Sequence, residues 1–225
     1  MNDIAGNIHR LRHDMNAAVL KAGRAGSDVQ LIAVSKTKSV EAVREAIAAG
    51  QKIFGENRVQ EAILKFTELR HHASDLELHL IGPLQTNKVQ EAVAHFDVIQ
   101  TLDRPKLALA LAKELSKTSR NPRLYIEINV GHEPQKAGIF PEDLGEFLEF
   151  CRDKAGLTPE GLMCIPPHHV DPTPFFKKMC DLKDQFQLKH LSMGMSADYA
   201  TAIACGATEI RVGSAIFGER DKSAS

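Results

Sequence analysis

Three stretches of this chain carry residues whose types and placement suit chemistry. "LIAVSKTKSV" (31–40) ends a strand-like apolar run on Lys36. "LSMGMSADYA" (191–200) and "RVGSA" (211–215) put glycine and hydroxyls directly after strand-like runs. A lysine in a partly desolvated pocket has a depressed pKa and becomes a nucleophilic amine, the group that forms Schiff bases. Small residues and hydroxyls at a helix N-terminus offer unpaired N–H groups and a favourable dipole to an anion such as phosphate. Each stretch also has a plainer reading. Lys36 suits phosphate pairing or a snorkelling surface position, and Ser196 suits an N-cap. Lys38, two residues on and beside the cap candidate Ser39, is expected in solvent.

The elements that would position these residues alternate along the chain. Strand-like runs fall at 29–35, 52–55, 76–82, 96–100, 123–130, 156–165, 188–193 and 208–213. Helical periodicity fills stretches between them, as in 40–50, 104–117 and 141–151, and one more helix over 2–25 precedes the first strand. Gly50 sits where a helix C-terminal glycine belongs, and Pro105 and Pro141 where first-turn prolines belong. Strict strand–helix alternation predicts a parallel sheet. Eight units predict an α/β fold, a single (β/α)8 TIM-type barrel with an extra N-terminal helix, spanning 1–225 as one domain. A doubly wound open sheet is the alternative. The first βα turn, "AVSKTKSV", has no glycine and so argues against its dinucleotide-binding form. "IPPHHVDPTP" (165–174) reads as one long loop.

A barrel places its chemistry at the C-terminal ends of its strands, and the loops after strands 7 and 8 commonly bind phosphate. Closure sets strand 1 beside strand 8, which brings Lys36 near those loops. Lysine, phosphate site and barrel together suggest pyridoxal 5'-phosphate.

Composition narrows the alternatives. Basic and acidic side chains number 28 and 29, for a net charge of -1, with no long run of either sign. No electrostatic face for nucleic acid is expected. Cys151, Cys164, Cys180 and Cys205 lie far apart with no zinc spacing, and read as reduced, mostly buried thiols. The polar start and the lack of a long apolar run predict a cytoplasmic protein with no signal peptide and no membrane span.

"AVSKTK", "FGENRVQE", "HLIGPLQTNK", "LSMGMSADYATAI" and "RVGSAIFGER" closely resemble the pyridoxal phosphate homeostasis proteins, which look like the barrel half of alanine racemase (fold type III). The blocks keep their order, and the resemblance runs from about residue 8 to 220. It implies a barrel that binds pyridoxal phosphate with Lys36 carrying it as an internal aldimine. Ser196 resembles the phosphate-binding serine after strand 7, with Ser192 and the backbone near Met195 close by. Gly213 and Ser214 look like further phosphate donors, Arg211 like the arginine facing the pyridine nitrogen, and Asn57 like a contact from strand 2. Ser39, Gln135 and Ser214 depart from the pattern, standing where proline, serine and threonine are common. The Ser214 change keeps a hydroxyl.

An arginine opposite the ring nitrogen disfavours its protonation and weakens the ring as an electron sink. The chain ends at Ser225, twelve residues beyond Gly213, so the second domain with which racemases supply a second acid–base group is not expected. These features predict a carrier that regulates and delivers the cofactor and affects amino-acid pools, with apo enzymes as recipients and a monomeric state. The alternative is a small racemase or lyase using Lys36 as its base, with His79, His132, His168 or His169 as a second proton carrier. The plain expectation for His79 is a satisfied strand residue, and for His168 and His169 a solvated pair. A phosphate-sugar barrel enzyme without pyridoxal phosphate is the third class.

Overall fold

The computed structural model describes residues 3–219. Eight parallel strands, β1 (Gln30–Val34), β2 (Ile53–Glu56), β3 (Glu77–Leu80), β4 (Val98–Leu102), β5 (Arg123–Ile128), β6 (Gly161–Cys164), β7 (His190–Ser192) and β8 (Glu209–Val212), close in chain order into a barrel. Closure is made by β1 against β8, with Gln30 opposite Glu209 and Ala33 opposite Val212. The doubly wound alternative is thereby excluded. Helices α1 (Ile4–Lys21), α2 (Val40–Ala48), α3 (Val59–His72), α4 (Val89–His95), α5 (Pro105–Leu115), α6 (Leu144–Asp153), α7 (Thr173–Gln185), α8 (Tyr199–Ala204) and α9 (Ser214–Phe217) accompany them.

Strand side chains alternate between two environments. Leu31, Ala33, Phe54, Leu78, Leu80, Leu124, Ile126, Leu191, Ile210 and Val212 belong to the apolar core that the helices cover. The opposite positions meet inside the barrel, and many of them are polar. His79, Gln100, Tyr125, Ser192, Glu209 and Arg211 are all buried. Gln100 of β4 contacts β7 and β8, which are not its neighbours, so the contact crosses the lumen.

Each helix begins where local chemistry allows. Ser39 caps α2 by accepting from the Ala42 amide, Pro105 opens α5, and Gly50 takes φ +81 after α2, as expected. Pro141 opens a short 3-10 turn, Pro141–Asp143, that leads into α6. The N-terminal helix stops at Lys21, because Gly23 turns the chain at φ +70; residue 2 lies outside the described residues. Its buried Ile4, Ile8, Leu11, Met15 and Val19 form one apolar stripe packed on α2, α8 and α9. The sixth strand is shorter than expected: Gly156 takes φ +64, and Pro159 has no N–H for the ladder. Cys151 and Cys164 are buried, Cys180 and Cys205 half-buried, and all four are free. Among the described residues no helix is long and apolar enough to cross a membrane.

Candidate functional site

A cavity of about 660 Å³ opens at the C-terminal ends of the strands. That volume lies within the usual range for small-molecule sites. Lys36, Asn57, Met195, Ser196, Arg211, Gly213 and Ser214 all line it. Lys36 extends the inward series Ile32, Val34 past the end of β1. Asn57 comes in past the end of β2, and Gly82 makes room for it. A Cβ at Gly82 would stand 2.4 Å from the Asn57 carbonyl oxygen. Ser196 and Ser214 meet on one wall, where the Ser214 hydroxyl lies 3.1 Å from Ser196 Oγ.

Two expectations are corrected here. Ser196 does not cap α8, because Asp198 is the residue before Tyr199; the Asp198 carboxylate turns back to accept from the Met195 amide at 2.6 Å. Ser196 therefore stays in the loop with its hydroxyl at the cavity. Gly194 permits this loop, with φ +89 and no room for a Cβ, which would lie 2.5 Å from Ala202 Cβ. Lys38 is not in open solvent either. It is half-buried, lines the cavity, and its ammonium donates to the carbonyls of Phe217, Gly218 and Glu219 at 2.9–3.1 Å. It thus caps the C-terminal end of α9, where unpaired carbonyls favour a cation.

Ser192 lies one layer below the cavity lining and is buried. Its hydroxyl accepts from Arg211 Nη1 at 2.7 Å and donates to Gln100 Oε1 at 2.7 Å. Arg211 Nη2 donates to the Cys164 carbonyl at 2.8 Å. Gln100 Nε2 donates to the Glu209 carboxylate at 3.1 Å and to His79 Nδ1 at 2.8 Å. The carboxylate can only accept, so the amide orientation is fixed, and His79 Nδ1 is the acceptor of its pair. His79 Nε2 then donates to Glu77 at 2.6 Å, as expected for a satisfied strand residue. Donors thus run one way, from Arg211 through Ser192, Gln100 and His79 to Glu77. Burial pulls the Arg211 guanidinium below its ordinary pKa, while Cys164, Glu209, Glu127 and Asp198 oppose that pull. An arginine keeps its charge at neutral pH even so.

The family model of the alanine racemase N-terminal domain matches residues 7–221. The pyridoxal phosphate homeostasis protein of Vibrio cholerae is 42% identical, across 99% of both chains. The chain belongs to this family. The homeostasis protein of Aquifex aeolicus is 40% identical over 95% of this chain and 96% of its own. The structure of PipY from Synechococcus elongatus without pyridoxal phosphate superposes with a TM-score of 0.83 at 40% identity, covering 96% of this chain and 100% of PipY. Its structure with pyridoxal phosphate bound gives 0.81. An alanine racemase of Clostridium difficile shares the fold, with a TM-score of 0.69 at 14% identity over 57% of its length.

Two features of this homeostasis-family barrel were only partly visible in the sequence, which named Arg211, Ser192 and His79 without the network that joins them, and the 165–174 loop with His168 and His169 without its place at the cavity. The first is the polar lumen. Its signal is period-2 alternation of polar residues inside apolar runs: Glu77 and His79; Arg123, Tyr125 and Glu127; Glu209 and Arg211. The second is the 165–174 loop, whose Ile165, Pro166, Pro167 and Pro172 line the cavity together with exposed His168, His169 and Val170. His132 stands apart from the cavity, stacked on Phe140 and bonded to Glu142.

Proposed function

We propose that the barrel binds pyridoxal 5'-phosphate at this cavity and serves the homeostasis and delivery of that cofactor. One observation carries the reading: a lysine, two facing hydroxyls and a buried arginine border a single cavity at the barrel's C-terminal mouth. The donor set fits the group. Ser196 and Ser214, with Gly213 beside them, offer donors for a phosphate, and Arg211 and Asn57 lie within the same cavity as partners for the ring. When bound, the cofactor would supply an electrophilic aldehyde carbon, and Lys36 would be the amine that holds it. That PipY of 40% identity has been solved with pyridoxal phosphate bound supports this assignment.

The residues around the cavity favour holding over turnover. Arg211 presents a permanent cation toward the lumen side, where a carboxylate would be needed to strengthen the ring as an electron sink. His79 is committed to Gln100 and Glu77 below the cavity and is not placed as a second proton carrier. We further propose a single-domain, cytoplasmic monomer that hands its cofactor to apo enzymes. The test uses purified protein loaded with pyridoxal phosphate. A visible band from the Lys36 adduct is expected, with negligible exchange of amino-acid α-protons in heavy water. Robust turnover or exchange of any amino acid overturns the carrier reading, and absence of the band overturns the cofactor assignment.

A further inference from the structure

Behind the lysine loop, on the side away from the cavity, lies a buried ion cluster. Ser35 faces outward from the barrel, opposite in phase to Lys36, and is fully buried. Its hydroxyl donates to Glu56 Oε1 at 2.7 Å, at the end of β2. From α3, Glu61 and Lys65 project on one face, four residues apart. The Lys65 ammonium, whose side chain is 7% exposed, uses all three of its donors: on the Ser35 carbonyl at 2.7 Å, on Glu56 Oε1 at 2.7 Å and on Glu61 Oε1 at 2.8 Å. Glu61 Oε1 also accepts from the Thr37 amide.

The two backbone groups held here flank Lys36. The Ser35 carbonyl belongs to the peptide plane before its Cα, and the Thr37 amide to the plane after it. A peptide plane is rigid, so the two planes set the φ and ψ of Lys36 and the direction of its Cα–Cβ bond. Thr37 itself sits at φ +62, a region that a β-branched residue avoids unless its surroundings impose it. Stability alone does not account for the cluster. Glu56 Oε2 is buried with no partner among the described residues, and burial raises the Glu56 pKa despite the Lys65 charge. Replacing such clusters by apolar side chains is often neutral or stabilising.

We infer that Lys65 and Glu61, seated on Glu56, are positioning residues that aim the Lys36 amine into the cavity by clamping the peptide planes on both sides of it. This rests on the reading of Lys36 as the amine that takes the cofactor aldehyde.

The test compares Glu61→Ala, which removes the acceptor for Thr37 N–H, with Glu61→Gln, which keeps an oxygen there. Two probes are used. Pyridoxal 5'-phosphate reports adduct formation by its visible band. Pyridoxine 5'-phosphate, with an alcohol in place of the aldehyde, reports binding without the covalent step. In Glu61→Ala the rate of adduct formation is expected to fall about tenfold or more, since misplacing a reacting group by about 1 Å costs on the order of 10²-fold. Affinity for the alcohol should stay within about threefold, well inside the tenfold that 1.4 kcal/mol represents. Glu61→Gln should recover most of the rate. Lys65→Met should behave like Glu61→Ala; if it does not fold, the Glu61 pair suffices, because that side chain is 26% exposed. Wild-type rates in Glu61→Ala, or parallel loss of alcohol and aldehyde binding, overturn the positioning role. No adduct in the wild-type protein instead overturns the cofactor assignment.

Discussion

Gln100→Leu removes the residue that joins both halves of the lumen network while keeping side-chain volume nearly constant. Gln100 is 0% exposed and makes three hydrogen bonds: to His79, to Glu209 and from Ser192. Leucine leaves all three partners facing an apolar group. Each buried polar group left unsatisfied costs about 1–3 kcal/mol. The partners share one network, so the costs do not simply add, and roughly 3–5 kcal/mol is the expected total. A chain of this length loses about 2–4 °C of Tm per kcal/mol, which places the fall at about 6–20 °C. The assay is thermal unfolding followed by far-ultraviolet circular dichroism. Against a typical total stability of about 5–15 kcal/mol this is a large share, and the variant stays folded at room temperature over all but the low end of that range. Ser192 also loses its acceptor, which loosens one of the two anchors of Arg211 while the Cys164 carbonyl keeps the other, and affinity for pyridoxal phosphate should fall along with Tm. A Tm within about 2 °C of wild type would refute the network as described.

Three further outcomes follow from the same geometry. Burial, reinforced by the Asp103 charge and opposed by Arg211, raises the Glu127 pKa to about 7 from 4.5. The folded state therefore keeps a proton there that the unfolded state has lost; the stabilisation is complete below about pH 4.5 and vanishes as pH rises through about 7. Glu127→Gln should lack this loss, gaining on wild type by roughly 2–3 kcal/mol between about pH 5 and 8, and parallel Tm–pH profiles would contradict it. Ser196→Ala and Ser214→Ala should each weaken pyridoxal phosphate binding about tenfold to hundredfold, because hydrogen bonds to a charged group contribute about 1.5–3 kcal/mol; unphosphorylated pyridoxal, titrated in parallel, should be unaffected. Gly82→Ala drives a Cβ into the Asn57 backbone, and should cost about 1–3 kcal/mol in chemical denaturation together with cofactor affinity.

The barrel was legible because outward strand positions are mostly apolar and keep one phase, with Glu56 and Thr101 as polar exceptions near strand ends, and because turn residues punctuate them. The ends of elements were less so. Gly23 and Gly156 act through positive φ, which sequence position does not announce. β5 stops at Ile128 because Asn129 turns its side chain onto the loop that follows, accepting from the Glu133 amide and donating to its carbonyl. At the site, Lys36, Asn57, Met195, Ser196, Arg211, Gly213 and Ser214 come together because each ends or follows a strand, and strand ends converge in a closed barrel. Ser192 ends a strand too, but its side chain points one layer lower, toward Arg211. Gln100 and Lys65 left no local trace. The partners of Gln100 stand 21, 92 and 109 residues away, and Lys65 meets the Ser35 carbonyl across 30 residues. Lys38 went wrong for the same reason, since the carbonyls it caps lie about 180 residues on.

Locating the covalent bond tests the role of Lys36 at its source. The native protein is mixed with pyridoxal 5'-phosphate, reduced with borohydride to make the linkage permanent, digested and mapped by mass spectrometry. The pyridoxyl mass is expected on the peptide that contains Lys36. A chain that takes no label, or takes it wholly on another lysine, would contradict that role.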